Sequence, residues 1–277
     1  MPLSEEKLVA GTYAIGPAAV LSGALFSIAA NRVWFRNVGE TSCRWRRAYS
    51  PDGRAFGIWL LIYSTTLISC IVQLTGQTPV LDWFPNALWA LSWTICALWT
   101  PFFDGETPMA LRAAASLLFV AAGAATLATS IETAWRNSDN RLAMILLTAP
   151  LSALTGWLWV AAVLGWGIAN AASDSRASAE ACYVPPKRMD ESEEEYRYRR
   201  RVLYREAYAR MKPEVSIVPL LVAIAVATLC ALIPDPLVAV PVAWAIVNLK
   251  AFPSVVYLLA LCALSVGVTV AVLRSYR

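Results

Sequence analysis

The sequence predicts an all-α integral membrane protein that crosses the bilayer about eight times. Apolar side chains make up 58% of its 277 residues and charged ones only 15%, and the mean hydropathy is +0.54. The apolar residues also fall in uncharged blocks of the length, about 20 residues, that a helix needs to cross a bilayer. Soluble domains carry more charged residues, so these blocks are predicted membrane spans.

The predicted spans form a group of five followed by a group of two to three. They cover residues 8–30, 55–75, 85–103, 108–130, 142–171, 215–233, 236–249 and 252–273. The seventh is short and contains Pro241, so seven crossings plus one partial span is the alternative topology. The chain thus divides into a five-helix core at 1–171, a charged extramembrane segment at 172–214 and C-terminal transmembrane helices at 215–277.

The basic residues predict which loops share a side of the membrane. With eight crossings, 18 of the 23 Lys and Arg residues fall in loops 31–54, 104–112, 172–214 and 250–251. Such loops remain on the side of synthesis, which predicts that they face the cytosol, matrix or stroma and that both termini lie opposite. The pattern fits an organelle inner membrane and a bacterial plasma membrane equally. No basic and aromatic stripe indicates nucleic-acid binding.

The 173–214 segment is predicted to contain one charged helix, at about 189–211. Acidic residues precede basic ones, as suits the helix dipole, and Glu-to-Arg pairs join 193 to 197, 195 to 199 and 206 to 210. A thin apolar stripe also contains Met189 and Ala207. The surface predicted to meet lipid headgroups or a protein partner comprises Tyr196, Arg200, Leu203, Tyr204 and Met211. A solvated connector is the third interpretation.

Catalytic and metal chemistry is disfavoured by composition. The sequence has no histidine, which is the commonest general base and the commonest metal ligand, and no metal-spaced cysteine pairs. Acidic residues Asp82, Asp104, Glu132 and Asp235 all fall at predicted span ends. Ion-coupled transport usually needs a charge at mid-membrane depth, so a channel or transporter is also disfavoured.

Tryptophan is over-represented, with 12 residues, most of them between the second and fifth spans. Phe56, Trp59 and Tyr63 share one face of the second helix, because they are spaced i, i+3, i+7. On the third helix, Asn86, Trp89 and Trp93 have the same spacing. Two such faces could enclose a flat apolar ligand, or they could simply pack against each other.

These aromatic residues lie in motifs typical of one family. Residues 51–63 read PDGRAFGIWLLIY, Asn86 and Trp89 form an Asn-x-x-Trp pair, and Pro150 precedes Gly156, Trp157 and Ala161. In this order the motifs resemble the TspO/MBR family, the tryptophan-rich sensory or translocator proteins. Residues 235–250 resemble the tail of longer family members that carry additional C-terminal helices.

The resemblance implies a non-enzymatic five-helix bundle that binds tetrapyrroles or sterol-like lipophiles. No cofactor is required, and a porphyrin, pigment or lipid is a possible ligand. Carried over by position, the ligand-binding residues are Trp34, Phe56, Trp59, Tyr63, Asn86, Trp89, Trp93 and Trp157. The family's asparagine late in the fifth helix falls at or near Gly165. This departure and the inserted 173–214 segment support an alternative, an accessory structural subunit of a large respiratory or photosynthetic-type membrane complex whose pocket is reduced to helix packing.

Overall fold

The computed structural model describes most of the chain. The described residues are 5–44, 50–51, 53–76, 81–102, 109–137, 140–173, 185–210, 216–232, 235–249 and 252–275. Throughout these ranges the regular secondary structure is helical, and Pro51 and Leu249 form one isolated β-bridge. The predicted all-α fold is therefore confirmed.

The first five helices form the core that the sequence predicts. They are α1 (Glu5–Arg44), α2 (Ile58–Leu74, preceded by a 3₁₀ turn at Gly53–Gly57), α3 (Trp83–Phe102), α4 (Met109–Arg136) and α5 (Arg141–Ser173). After them come α6 (Glu193–Arg210), α7 (Val218–Leu232), a 3₁₀ turn (Pro236–Val238), α8 (Ala239–Val247) and α9 (Val255–Ser275).

Five segments of the described residues are long and apolar enough to cross a bilayer. They are 14–33, 53–74, 110–136, 142–167 and 255–274, and two shorter apolar helices cover 218–232 and 236–247. Helices suit this environment because they satisfy their own backbone hydrogen bonds where no water is available. The chain is thus a multi-pass integral membrane protein.

Helices α1 and α3 run parallel and approach closely through glycines of α1. A Cβ atom on Gly16 would lie 2.5 Å from Nδ2 of Asn86, and one on Gly23 would lie 3.1 Å from Cβ of Trp93. Small residues at a membrane helix interface allow such close backbone contact. The two pairs advance together along both helices, which fixes the parallel direction.

Helices α4 and α5 run antiparallel and are joined by paired hydroxyl groups. The side-chain oxygens of Thr126 and Thr155 are 2.7 Å apart, and those of Ser130 and Ser152 are 2.9 Å apart. All four side chains are buried. We call these four residues the hydroxyl seam.

The C-terminal helices show that the 236–249 segment returns across the bundle. Tyr257 of α9 contacts Ser216 before α7, and Gly267 lies against Ala227, so α7 and α9 are parallel. The chain between them must therefore run the opposite way. Its end reaches the start of α2, where the Trp244 indole donates to the carbonyl oxygen of Ala55 at 2.9 Å.

Helix α8 is nevertheless short for a span. At 1.5 Å per residue, the nine residues of α8 measure about 14 Å, against an apolar bilayer core of about 30 Å. The segment thus runs in the direction expected of the predicted seventh crossing. Its helix is too short to cross the apolar core by itself, as the alternative topology with a partial span assumes.

Three local predictions were wrong. Trp34 falls in the predicted loop 31–54 after the first span, but α1 continues as helix through Arg44. The charged helix begins at Glu193 rather than near 189, because Ser192 and Glu195 form a capping box: the Glu195 amide donates to Ser192 Oγ at 3.2 Å and the Ser192 amide to Glu195 Oε2 at 2.8 Å. Glu195 is therefore not the partner of Arg199.

Candidate functional site

The predicted aromatic residues of α2, α3 and α5 form one continuous group of rings. Tyr63 stacks on Trp93 with 4.9 Å between ring centroids, and Trp59 stacks on Tyr63 at 5.4 Å. Trp157 meets Phe56 edge-on at 5.8 Å and Trp59 at 6.0 Å. We call these five residues the aromatic cluster. Trp93 and Trp157 are fully buried, and Trp59 and Tyr63 of α2 are half-buried, as is Phe56, which lies in the 3₁₀ turn before α2 and not in α2 itself.

The two predicted aromatic faces touch each other directly. Trp59 of α2 lies 6.1 Å from Trp93 of α3, within the range of packed aromatic pairs. Such contacts contribute about 0.5–1.5 kcal/mol each beyond the area they bury. A ligand that inserts between α2 and α3 must therefore displace at least one ring.

One face of α3 carries buried polar atoms that no described residue satisfies. Within the described residues, Asn86 Oδ1, Trp89 Nε1 and Trp93 Nε1 have no hydrogen-bond partner, although all three side chains are almost completely buried. An unsatisfied buried polar group costs about 1–3 kcal/mol. Unsatisfied polar atoms are uncommon in native proteins, and here three share one helix face.

Asn86 also has a structural role. Its Nδ2 donates to the carbonyl oxygen of Leu81 at 2.8 Å, which holds the chain that enters α3. Nearby, the Leu81 amide donates to Gln73 Oε1 at 3.2 Å and so ties the same segment to α2. The α3 face is thus held rigidly at its start.

A polar network that sequence reasoning missed fixes the tyrosine of the cluster. The Tyr63 hydroxyl is 2.9 Å from Ser27 Oγ and accepts from Asn31 Nδ2 at 3.1 Å. Thr100 of α3 donates to Asn31 Oδ1 at 3.4 Å. The signal for this network was weak, because Ser27 and Asn31 are single polar residues with no recognisable spacing to their partners.

A comparison with known families identifies the fold that carries this cluster. A sequence model of the TSPO-like protein family matches residues 18–175, which is more than half of the chain. The chain belongs to the TSPO-like protein family. Searches of curated proteins and of solved structures returned no match.

The family match covers the whole aromatic cluster of this TSPO-like chain and stops before α6. Of the predicted ligand-binding residues, the structure brings Phe56, Trp59, Tyr63, Trp93 and Trp157 into the aromatic cluster. Asn86 and Trp89 lie on the same α3 face as Trp93, toward the start of that helix. The side chain of Trp34 lies outside the described residues.

Gly165 has a packing role in the TSPO-like core. A Cβ atom at this position would lie 2.5 Å from Oγ of Ser116 on α4. Any larger residue here would require the Ser116 hydroxyl to move, so the glycine is tied to the close approach of α4 and α5.

The predicted partner surface on α6 is described only in part. Tyr196 is half-buried, and the guanidinium groups of Arg199 and Arg200 lie 5.3 and 5.5 Å from its ring centroid, a cation–π arrangement. Leu203 is half-buried. The side chain of Tyr204 and all of Met211 lie outside the described residues.

The start of α6 is held by a two-pronged ion pair. Arg199 Nε and a terminal nitrogen each donate to the Glu191 carboxylate at 2.8 Å, and Arg199 also reaches the Pro186 carbonyl oxygen at 3.1 Å. These hydrogen bonds lower the pKa of Glu191 to about 2. Arg197 pairs with Glu193 at 3.0 Å, as predicted. The bound arginine folds the 185–192 segment back onto the helix.

Proposed function

We propose that this TSPO-like membrane protein binds a flat lipophilic ligand, of the tetrapyrrole or sterol-like class, at the aromatic cluster. The observation that carries the proposal is the set of three unsatisfied polar atoms on the α3 face, at Asn86, Trp89 and Trp93. Ring stacking suits a flat apolar molecule, and a few polar groups suffice to orient it. Indole N–H groups donate, whereas the amide oxygen of Asn86 accepts, so the site could satisfy carboxylate or hydroxyl groups of such a ligand.

Entry is easiest from the α2 side. Trp59 and Tyr63 of α2, and Phe56 in the turn before it, are half-buried, while Trp93 and Trp157 behind them are closed off. Outward rotation of Trp59 would uncover Trp93 without breaking a hydrogen bond among the described residues, because Trp59 makes only ring contacts there. Tyr63 is held by Ser27 and Asn31 and would stay in place.

Binding can be measured directly on the purified protein in lipid nanodiscs. Protoporphyrin IX, followed by its absorbance, and a fluorescent sterol are titrated separately against the wild type, Trp93→Leu and Trp135→Leu. Trp135 is the matched control, because it is 77% exposed at the end of α4 and away from the cluster. We expect saturable binding of at least one probe, weakened by at least tenfold in Trp93→Leu and unchanged in Trp135→Leu. Loss of saturable binding for both probes, or equal weakening in both variants, would refute the proposal.

The direct ring contacts between α2 and α3 favour a second candidate, the accessory structural subunit. In that case the cluster serves only to pack helices. Native gels of mildly solubilised membranes distinguish the two: migration with a large assembly supports a subunit, and a monomer or homodimer that binds porphyrin or sterol argues against it.

A further inference from the structure

A carboxyl group outside the family match reaches into the core of the bundle. Asp235 lies between α7 and the 3₁₀ turn at 236–238, and its Oδ1 accepts from the Leu237 amide at 3.1 Å. Its Oδ2 contacts two serines of the hydroxyl seam, Ser152 through Oγ and Ser130 through Oγ at 3.0 Å. Both serines are buried. Asp235 follows α7 in the sequence, and its carboxyl group therefore lies inside the protein.

The partners show that this carboxyl group is enclosed by α4 and α5. Both serines that it contacts are almost completely buried, and the nearest charged residues along α4, Glu132 and Arg136, lie two and six residues beyond Ser130, or about 3 and 9 Å of helix. Those two residues pair with each other at 2.7 Å, and Arg136 also pairs with Asp82. An ionised carboxyl group is costly in such a buried site unless it is paired.

No basic side chain compensates Asp235 among the described residues. Helix α5 has no charged residue from 142 to 167, and 236–249 has none. The titratable group that faces Asp235 from α7 is the thiol of Cys230. Arg274 of α9 donates instead to the carbonyl oxygens of Ala231 and Leu232. Hydroxyl and amide groups are thus what surrounds this carboxyl group.

Counting hydrogens distinguishes the two protonation states. Four oxygen–oxygen contacts meet here: Ser130 to Ser152, each serine to Asp235, and Ser152 to the Thr148 carbonyl oxygen at 2.9 Å. Carbonyl and carboxylate oxygens bring no hydrogen, so the two serines supply only two. Even with the Ser130 hydrogen shared by Ser152 and Asp235, the Ser152 hydrogen then goes to Asp235, and the contact of Ser152 with the Thr148 carbonyl oxygen remains one between lone pairs. A carboxyl proton donated to Ser152 frees the Ser152 hydrogen for Thr148, so that all four contacts contain a hydrogen.

A metal ion fits this arrangement poorly. Hard cations such as Ca²⁺ take about six to eight oxygen ligands, and one carboxyl group with two serines and a carbonyl falls short. The described residues contain no group of three acidic or sulfur ligands. The oxygens also lie at hydrogen-bond distance from one another, so a proton is the cation that fits between them.

We propose that Asp235 carries its carboxyl proton and, as a hydrogen-bond donor to the hydroxyl seam, fastens the C-terminal helices to the TSPO-like core. The inference does not depend on ligand binding at the aromatic cluster. Next to this contact, Gly156 of α5 lets the Val238 carbonyl oxygen and Pro241 approach closely. The protonated group therefore joins the two units at the point where their backbones meet.

Infrared spectroscopy tests the protonation state in the wild-type protein. At neutral pH the exposed carboxyl groups are ionised, so the C=O stretch of a protonated carboxyl group reports a buried one. We expect this band in the wild type, its shift on ¹³C-aspartate labelling, its loss in Asp235→Asn and its retention in Glu132→Gln. Absence of the band in the wild type, or its persistence in Asp235→Asn, overturns the proposal.

Two replacements at 235 test the fastening role. The asparagine amide both donates and accepts, as a protonated carboxyl group does, whereas leucine does neither. We expect Asp235→Asn to unfold near the wild-type temperature and Asp235→Leu several degrees lower. Equal loss in both variants would indicate an ionised carboxylate, and no loss in Asp235→Leu would exclude fastening. If neither variant folds, the wild-type infrared band still decides.

Discussion

The two sides of α5 hold the core together by different means. Toward α2, Trp157 packs against the rings of Phe56 and Trp59. Toward α4, Ser152 and Thr155 form hydrogen bonds to serine and threonine hydroxyls. Ring packing tolerates changes of distance and angle, whereas hydroxyl pairs require one register. If a ligand binds as proposed, the aromatic side is therefore the side that opens for it, and the hydroxyl seam is the side that keeps the helices in register.

The largest expected effect comes from the aromatic side. Trp157→Ala removes a fully buried ring and its two aromatic contacts, and we expect it to destabilise the protein by about 3–5 kcal/mol. Unfolding in mixed detergent micelles measures the loss. Trp166→Ala, on the same helix but 47% exposed, serves as the control and should cost far less. Equal losses would mean that the cluster does not hold α5.

The next effect tests the close backbone approach beside the hydroxyl seam. A Cβ on Gly156 would collide with the Val238 carbonyl oxygen, which cannot move as a side chain could. We expect Gly156→Ala to destabilise by about 1–3 kcal/mol, as overpacking does. Gly57→Ala is the control, because nothing lies within 4 Å of the position that its methyl group would take. A thermal unfolding temperature that is unchanged in Gly156→Ala would show that the two units are not in contact there.

A smaller effect is expected where the aromatic cluster itself uses a hydroxyl. Tyr63→Phe keeps the ring but loses its hydrogen bonds to Ser27 and Asn31. Interhelical hydrogen bonds in membranes contribute about 0.6 kcal/mol on average, so we expect a loss of about 1 kcal/mol. The same variant should bind lipophilic probes faster, because its ring is free to move. Stopped-flow binding measures the rate, and a slower rate would contradict a mobile aromatic side.

The smallest effect concerns the centre of the hydroxyl seam. In a double-mutant cycle, Thr126→Val and Thr155→Val should show a coupling energy of about 0.6 kcal/mol. Each threonine also bonds to its own helix backbone, which lowers the net value. Replacement of Thr228, which is exposed and bonds only within α7, provides an uncoupled partner. A coupling energy above the range of about 0.5–1.5 kcal/mol for an aromatic pair would mean that a hydroxyl pair of the seam contributes more than a ring contact of the aromatic cluster.

The sequence by itself determined the helical membrane fold and the aromatic faces of the second and third helices. Both follow from short-range patterns: uncharged blocks of about 20 residues give spans, and i, i+3, i+7 spacing groups Phe56, Trp59 and Tyr63, and likewise Asn86, Trp89 and Trp93. Trp157 was nominated by the family resemblance and not by spacing. The error at the start of α6 also had a short-range cause. The capping box of Ser192 and Glu195 uses the Glu195 side chain, which the i,i+4 spacing had assigned to Arg199.

Only the tertiary structure decided that the two aromatic faces touch, that Ser27 and Asn31 hold Tyr63, and that Asp235 meets Ser130 and Ser152. These contacts join residues far apart in the sequence, and a single polar residue carries no pattern that names its partner. Asp235 shows this most clearly. Its position between two apolar segments indicated a span end, while packing of the C-terminal helices on α4 and α5 placed its carboxyl group inside the bundle.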